Sequence, residues 1–311
     1  MVPATGRFWI LAALLLIGLL VPLTGDTFYI KFATRVMIYG MAAVAIDILL
    51  GYAGLISLGH AAFFGIGAYA AGMLTNAGVV SAFLTWPLAV AAALLAALVI
   101  GALSLRTTGL YFIMITLAFA QMVYYVAQSL RAYGGNDGFS LVSRNTFAGL
   151  IDISNPVAFY YLVLVLLVAV VVFAMRAMNA GFGVVLRASR DNSDRLEAVG
   201  VPPYPYRLAA FAISGAIAGL AGALLANLNQ YVAPQGMLSW QVSAELLVMV
   251  IFGAAGTIIG PIIGAAIYLL FAEILSEITQ HWMLLFGPLL IARVMLIKDG
   301  VYALLLRAVA R

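Results

Sequence analysis

The 311-residue chain contains no cysteine, so it has neither a disulfide nor a thiolate metal site. Charge is scarce as well. Asp, Glu, Lys and Arg make up 8% of the residues, against about 25% in globular domains, and a soluble fold cannot cover its surface with so few. Two histidines, at positions 60 and 281, supply no clustered metal site and no axial ligand pair for a redox subunit. The phosphate loop G-x-x-x-x-G-K-[ST] is absent, and with it the usual means of holding a nucleotide. No pair of catalytic groups converges in the sequence, which argues against an enzyme. No cofactor is expected.

What the chain has is apolar length. Hydrophobic residues make up 66% of it and the mean hydropathy is +1.15. In lipid only helices and closed barrels satisfy their own backbone hydrogen bonds. A barrel needs strands of about ten residues with alternating polarity, whereas the apolar runs here are continuous. An all-α polytopic membrane protein follows, surrounded by membrane lipid. With about 20 apolar residues per span, ten segments qualify: 8–23, 29–50, 60–78, 84–105, 108–130, 157–177, 207–228, 242–258, 260–277 and 282–298. The breaks at Gly51–Gly59 and Gly256–Pro261 also suit re-entrant bends. Residues 8–23 lack a small-residue cleavage site and are taken as a span, not a signal peptide. The chain reads as a single transmembrane domain over 1–311.

The net charge of +4 reflects topology, not nucleic-acid binding. The longest polar segment, about 178–206, is flanked by or contains Arg176, Arg187, Arg190, Arg195 and Arg207. Placing it in the cytoplasm by the positive-inside rule brings Arg7, Arg106, Lys298, Arg307 and Arg311 to the same side. Lys31, Arg35, Arg131 and Arg144 fall outside, and Arg293 lies near the inner end of the last span. Both termini are then cytoplasmic.

Glycine is plentiful, at 30 residues, although each costs about 1 kcal/mol relative to alanine inside a helix. Small residues recur at helical steps at Ala61, Gly65, Ala68 and Gly72, at Gly215, Gly219, Gly222 and Ala226, and at Gly256, Gly260 and Gly264. Such faces let helices approach closely in lipid. Two stretches resist that account: GYAGLISLGH (51–60) and GAAGTIIGP (253–261) each end one apolar run and begin another. They share G-x-A-G, and paired interruptions in two halves of a transporter mark its substrate route.

GYAGLISLGHAAFFGIGAYAAG, RTTGLYFIMITLAFAQMVYYV, GGNDGFS, RASRDNSDRLEAVGVPPYPYRLAAFAISGAIAGLAGALLA, VIFGAAGTIIGPIIGAAI and HWMLLFGPLLI together resemble, in order, the permeases of branched-chain amino-acid ABC importers, specifically the LivM type. The likeness runs from about residue 37 to 297. It implies the ABC importer permease fold in a bacterial inner membrane. It also implies a LivH-like second permease subunit (or a homodimer), two ATP-binding cassette subunits and an external binding protein that delivers leucine, isoleucine or valine. Urea, short amides and aromatic acids are cargoes of similar permeases. The chain departs from the family pattern at Asp47, where Asn is usual, at Gln121, where Glu is usual, and at Arg293, where the family has an apolar residue. An ionisable residue inside a span is costly and a functional suspect; a place near the inner end of its helix, hydrated or paired, is the plainer reading of Asp47.

Energy must arrive from the ATPase subunits through a rigid element. SRDNSDRLEAVGV (189–201) reads as a short helix that Gly200 ends in left-handed geometry and Pro202 and Pro203 prevent from continuing. Leu196 and Val199 offer it an apolar edge. E-A-V-G resembles the importer coupling motif, which carries over to Glu197, Ala198 and Gly200, with Arg190, Asp191, Asp194 and Arg195 supplying charge. The candidates for the substrate path are Gly51, Gly54, Ser57, Gly59, His60, Thr116, Gln121, Gly253 and Gly256. Glu245 is expected near the outer end of its span. An ion-coupled secondary transporter is the principal rival; it would need a relay of embedded carboxylates, for which Asp47, Glu245 and Glu273 are the sole candidates.

Overall fold

A computed structural model describes residues 15–16, 18–147, 155–279, 281, 284, 286–288 and 302. Half of the expected span 8–23 and most of 282–298 lie outside the described residues, as do Arg7, Arg293, Lys298, Arg307 and Arg311.

Helix α1 (Thr27–Asp47) starts where the Asp26 carboxylate accepts the Phe28 N–H at 2.9 Å, and it continues into a π-helical turn, Ile48–Ala53. Helices α2 (His60–Asn76), α3 (Ala82–Ser104) and α4 (Leu110–Ser129) follow. Helix α5 (Pro156–Asn179) opens on an Asn155 cap and a proline, whose missing N–H costs nothing at that position. Two short helices, α6 (Gly181–Asp191) and α7 (Ser193–Ala198), form an elbow before α8 (Pro203–Asn229). A single turn, α9 (Pro234–Met237), leads to α10 (Trp240–Gly253) and α11 (Ile259–Ile278). Strand β1 (Phe139–Ser140) pairs antiparallel with β2 (Tyr231–Val232). Among the described residues, seven helical stretches are long and apolar enough to cross a membrane, so the protein is polytopic.

Two helices are shorter than a membrane is thick. Helix α2 has 17 residues and α10 has 14, against the roughly 20 needed to span. His60, the first residue of α2, places Nε2 2.8 Å from the Ser214 hydroxyl, well inside α8. The next residue, Ala61, donates its N–H to the Ser243 hydroxyl of α10 at 2.8 Å. Helix α2 therefore begins within the bundle, whereas α9 and α10 together make a stretch of 20 residues, Pro234–Gly253. The expected span 242–258 needs correction: α10 ends at Gly253, and Ala254–Ile258 is not helical.

Close packing follows the small residues. A Cβ on Gly222 would stand 1.8 Å from the Phe64 carbonyl, and one on Gly215 would stand 2.3 Å from Ala97 Cβ. Gly65 lies against Leu238, and Gly264 against the Met249 carbonyl. In lipid these approaches replace the hydrophobic drive that assembles soluble helices. Gly256 does not belong to such a face: it sits outside any helix with φ of +80°. Gly54 has φ of +69°. The second glycine of each G-x-A-G thus takes left-handed geometry within its break, Gly54 as the cap of the π-helical turn and Gly256 in the segment after α10, a conformation glycine adopts without steric cost.

Candidate functional site

The two breaks meet. Asp47, the last residue of α1 and fully buried, accepts the Gly256 N–H at 2.6 Å through Oδ1 and the Ile258 N–H at 3.0 Å through Oδ2. These donors lie just before α11, where helix N–H groups lack intrahelical partners and the helix dipole favours negative charge. Asp47 is thus held by backbone donors on both of its carboxylate oxygens. Gly51 closes the junction: a Cβ there would stand 2.2 Å from Gly256 N and 2.5 Å from Asp47 Oδ1. No larger residue fits.

The elbow touches the first break. Arg190, in the last turn of α6, donates Nη1–H to the Gly51 carbonyl at 2.6 Å, and its Cγ would lie 2.4 Å from a Cβ on Gly54. It also pairs with Asp191 at 3.3 Å. Helix α7 then follows, capped by the Asn192 side chain, which accepts the Arg195 N–H at 2.9 Å. At its far end the Gly200 N–H donates to the Glu197 carbonyl at 2.9 Å and the Val201 N–H to the Leu196 carbonyl at 3.2 Å. This wrapped helix end has the pattern that left-handed glycine completes. Asp191, Asp194, Arg195, Glu197, Ala198, Val199 and Gly200 are all exposed, and Leu196 is half-buried. Arg207 of α8 secures the elbow from beneath through the Ser189 hydroxyl at 2.7 Å, the Ser189 carbonyl and Ser193.

The path candidates fall into two groups. Gly51, Gly253 and Gly256 gather at the paired breaks, with Gly253 against the Gly260 carbonyl and Gly54 beneath Arg190. Ser57, Gly59, His60 and Thr116 gather at the start of α2: the Ser57 hydroxyl accepts the Gly59 N–H at 3.1 Å, and Gly59 lies against Thr116. Gln121 lies further along α4, half-buried. None of the nine lines either of two grooves on the bundle. One of these, about 410 Å³, is almost wholly apolar and lies between Val36, Met37, Leu164, Val171 and Ile263. The other, about 240 Å³, lies between Tyr69, Met73, Val123 and Leu130.

Ser214 and Ser243 escaped the sequence reading; each is a lone hydroxyl in an apolar helix, and only its partner gives it a role. Glu245 is held by polar neighbours. It is the sixth residue of α10, hydrogen-bonded by Tyr268 and near Arg35, whose guanidinium lies 5.9 Å from the Tyr39 ring centre.

Comparison with known proteins agrees with this architecture. Residues 28–295 match the family model described as branched-chain amino acid transport system / permease component. The high-affinity branched-chain amino acid transport system permease protein LivM of Salmonella typhimurium is 28% identical over 304 residues, covering 90% of this chain and 71% of the relative. LivM of Escherichia coli K12 shows the same identity and coverage. No solved structure matches. On the family match, which spans most of its length, the chain belongs to the permease components of branched-chain amino acid transport systems.

Proposed function

We propose that this subunit forms half of the membrane channel of an ATP-driven importer for leucine, isoleucine and valine. An external binding protein delivers the solute, a LivH-like permease supplies the other half, and two ATP-binding cassette subunits dock on the elbow. The permease sits in a bacterial inner membrane with about ten spans, with both termini and the elbow of residues 178–206 on the cytoplasmic side. Two relatives, both LivM proteins, are named for the same transport system, which supports the cargo.

One observation carries the reading. Helix α7 is capped at both ends by its own sequence, and it displays Asp194, Arg195 and Glu197 to solvent while α6 stays packed on the bundle. A charged helix held rigid and away from lipid is a receiver for a partner. Glu197 meets the ATPase through hydrogen bonds or an ion pair, and Gly200 sets the turn.

Reconstitution of the four-subunit complex with its binding protein tests this. Leucine uptake should require ATP on the cytoplasmic side and survive an uncoupler. The double variant Glu197→Ala, Gly200→Leu should insert normally and lose uptake. Uptake that an uncoupler abolishes, or transport by the purified chain alone, overturns the proposal.

A further inference from the structure

The π-helical turn changes which backbone groups are satisfied. In a continuing α-helix the Gly51 carbonyl would accept the N–H of Leu55. Here the Leu55 N–H bonds to the Leu49 carbonyl instead, at 3.0 Å, so the break frees the Gly51 oxygen. A freed carbonyl of a buried residue needs a partner, and Arg190 provides it at 2.6 Å. Cation at the C-terminal end of one helix, anion at the N-terminal end of another: both placements follow the helix dipole. Arg190 caps the end of α1, and Asp47 caps the start of α11.

The two caps share a fulcrum. Gly51 carries the carbonyl that Arg190 holds, it lies four residues after Asp47, and it leaves no room for a methyl group against Gly256. Neither break can shift without dislodging the other. Among the described residues no cation lies within ion-pairing distance of Asp47, so the backbone N–H groups of the second break are what hold its carboxylate.

We propose that Arg190, Gly51 and Asp47 form a tie that delivers elbow movement to both breaks together, with Arg190 and Asp47 as positioning residues of the transport cycle. The tie rests on the reading of the elbow as the ATPase receiver. When the ATPases displace α6, the guanidinium pulls on the Gly51 carbonyl, and the Asp47 carboxylate carries the motion into Gly256 and Ile258. Losing Arg190 separates ATP hydrolysis from solute movement.

The test uses the complete importer in liposomes and reads leucine moved per ATP hydrolysed. Arg190→Met should lower that ratio about tenfold, within the range typical of coupling between sites, with ATP hydrolysis retained. Arg190→Lys, which keeps a donor and a charge, should restore most of it. An assembled Arg190→Met complex with the unaltered ratio overturns the tie. The Glu197→Ala, Gly200→Leu control separates the two readings: loss of uptake there beside a normal Arg190→Met ratio leaves the elbow as receiver and removes the tie, whereas normal uptake in the control removes the receiver itself. A measurement on the unmodified complex covers any variant that fails to assemble. Amide hydrogen exchange at 48–53 and 254–258 should change together on nucleotide binding; a change confined to one segment rejects the proposal.

Discussion

Gly67 of α2 lies directly on Gly219 of α8: a Cβ on the first would stand 2.0 Å from the carbonyl oxygen of the second. The obstacle is backbone, so no side chain can yield. Gly219 is just as confined from its other side, where an added Cβ would stand 2.2 Å from Ala93 Cβ. Three helices thus cross with little between them but hydrogen atoms. Because packing is the main attraction between helices in lipid, this crossing anchors the element that begins at His60 and positions the first break.

Enlarging that crossing should unfold the bundle from its centre. Gly67→Ala is expected to destabilise by about 1–3 kcal/mol, as overpacking of a tight core usually does, and Gly67→Leu should prevent recovery of folded protein. Gly181→Ala, where nothing lies within 4 Å of an added Cβ, should stay within about 0.5 kcal/mol of the parent. Thermal melting in detergent, followed by size-exclusion recovery, compares the three. Equal midpoints would show that the helices separate freely at this point.

Asn145 is a second anchor, at the opposite end of α2 from His60. Its Oδ1 accepts from Trp86 Nε1 at 3.2 Å, its Nδ2 donates to the Thr75 hydroxyl at 2.9 Å, and its backbone N–H donates to Asn227 Oδ1 at 3.1 Å. One buried loop residue therefore joins α2, α3 and α8. Asn145→Leu strands the Trp86 Nε1–H, at about 1–3 kcal/mol for an unsatisfied buried group, while the Thr75 hydroxyl keeps the Ala71 carbonyl at 2.8 Å. The expected result is a sharply lowered melting point with the elbow intact. A melting point equal to the parent's would mean water replaces the side chain.

His60 joins α2 to α8 in the same way. Its ring sits between Ser214 and the rings of Phe63 and Phe211, and among the described residues no group of three His, Asp or Glu side chains is placed to hold a metal. The Ser214 hydroxyl also donates to the Ala45 carbonyl, so His60→Leu strands no partner and should cost about 0.5–1.5 kcal/mol, the worth of one lost hydrogen bond. Chelator treatment of the isolated subunit should leave its melting curve unchanged. A melting point that falls on chelation would put a metal at this position.

Much of this was legible in the sequence because lipid imposes simple rules. Long apolar runs marked the helices, and G-x-A-G marked both breaks. Gly200 and the proline pair marked the end of α7, since capping chemistry is local, whereas the break at Asn192 that divides the expected helix 189–201 into α6 and α7 went unread. What stayed hidden depends on depth or distance. Hydropathy cannot tell that α2 starts inside the bundle, beside Ser214 of α8, because its residues are apolar wherever it begins. Helix α6 was read as part of a polar loop, since its arginines obscured an apolar face on which Gly183, Leu186 and Ser189 are buried. Asp47 and Gly256 are 209 residues apart, and nothing local in either announces the other. Arg190 was assigned to the ATPase surface by its neighbours in sequence, yet its guanidinium caps a carbonyl of the first break.

Gly200 isolates the elbow's conformation from its packing. With φ of +86° and nothing within 4 Å of an added Cβ, a substitution there meets no steric obstacle beyond its own backbone. Left-handed geometry costs an ordinary L-residue about 1–2 kcal/mol, and Asn least among them. A β-branched side chain tolerates it worst. Gly200→Asn should therefore keep α7 wrapped and retain uptake, whereas Gly200→Val should unwind its last turn, release the Gly200 and Val201 donors to water and impair uptake. Global stability should hardly differ between them, because α7 is exposed and buries little. Uptake by the assembled importer, measured beside the melting point, distinguishes a conformational role from a structural one: Val at or near Asn in uptake would mean the partner docks without regard to how this helix ends.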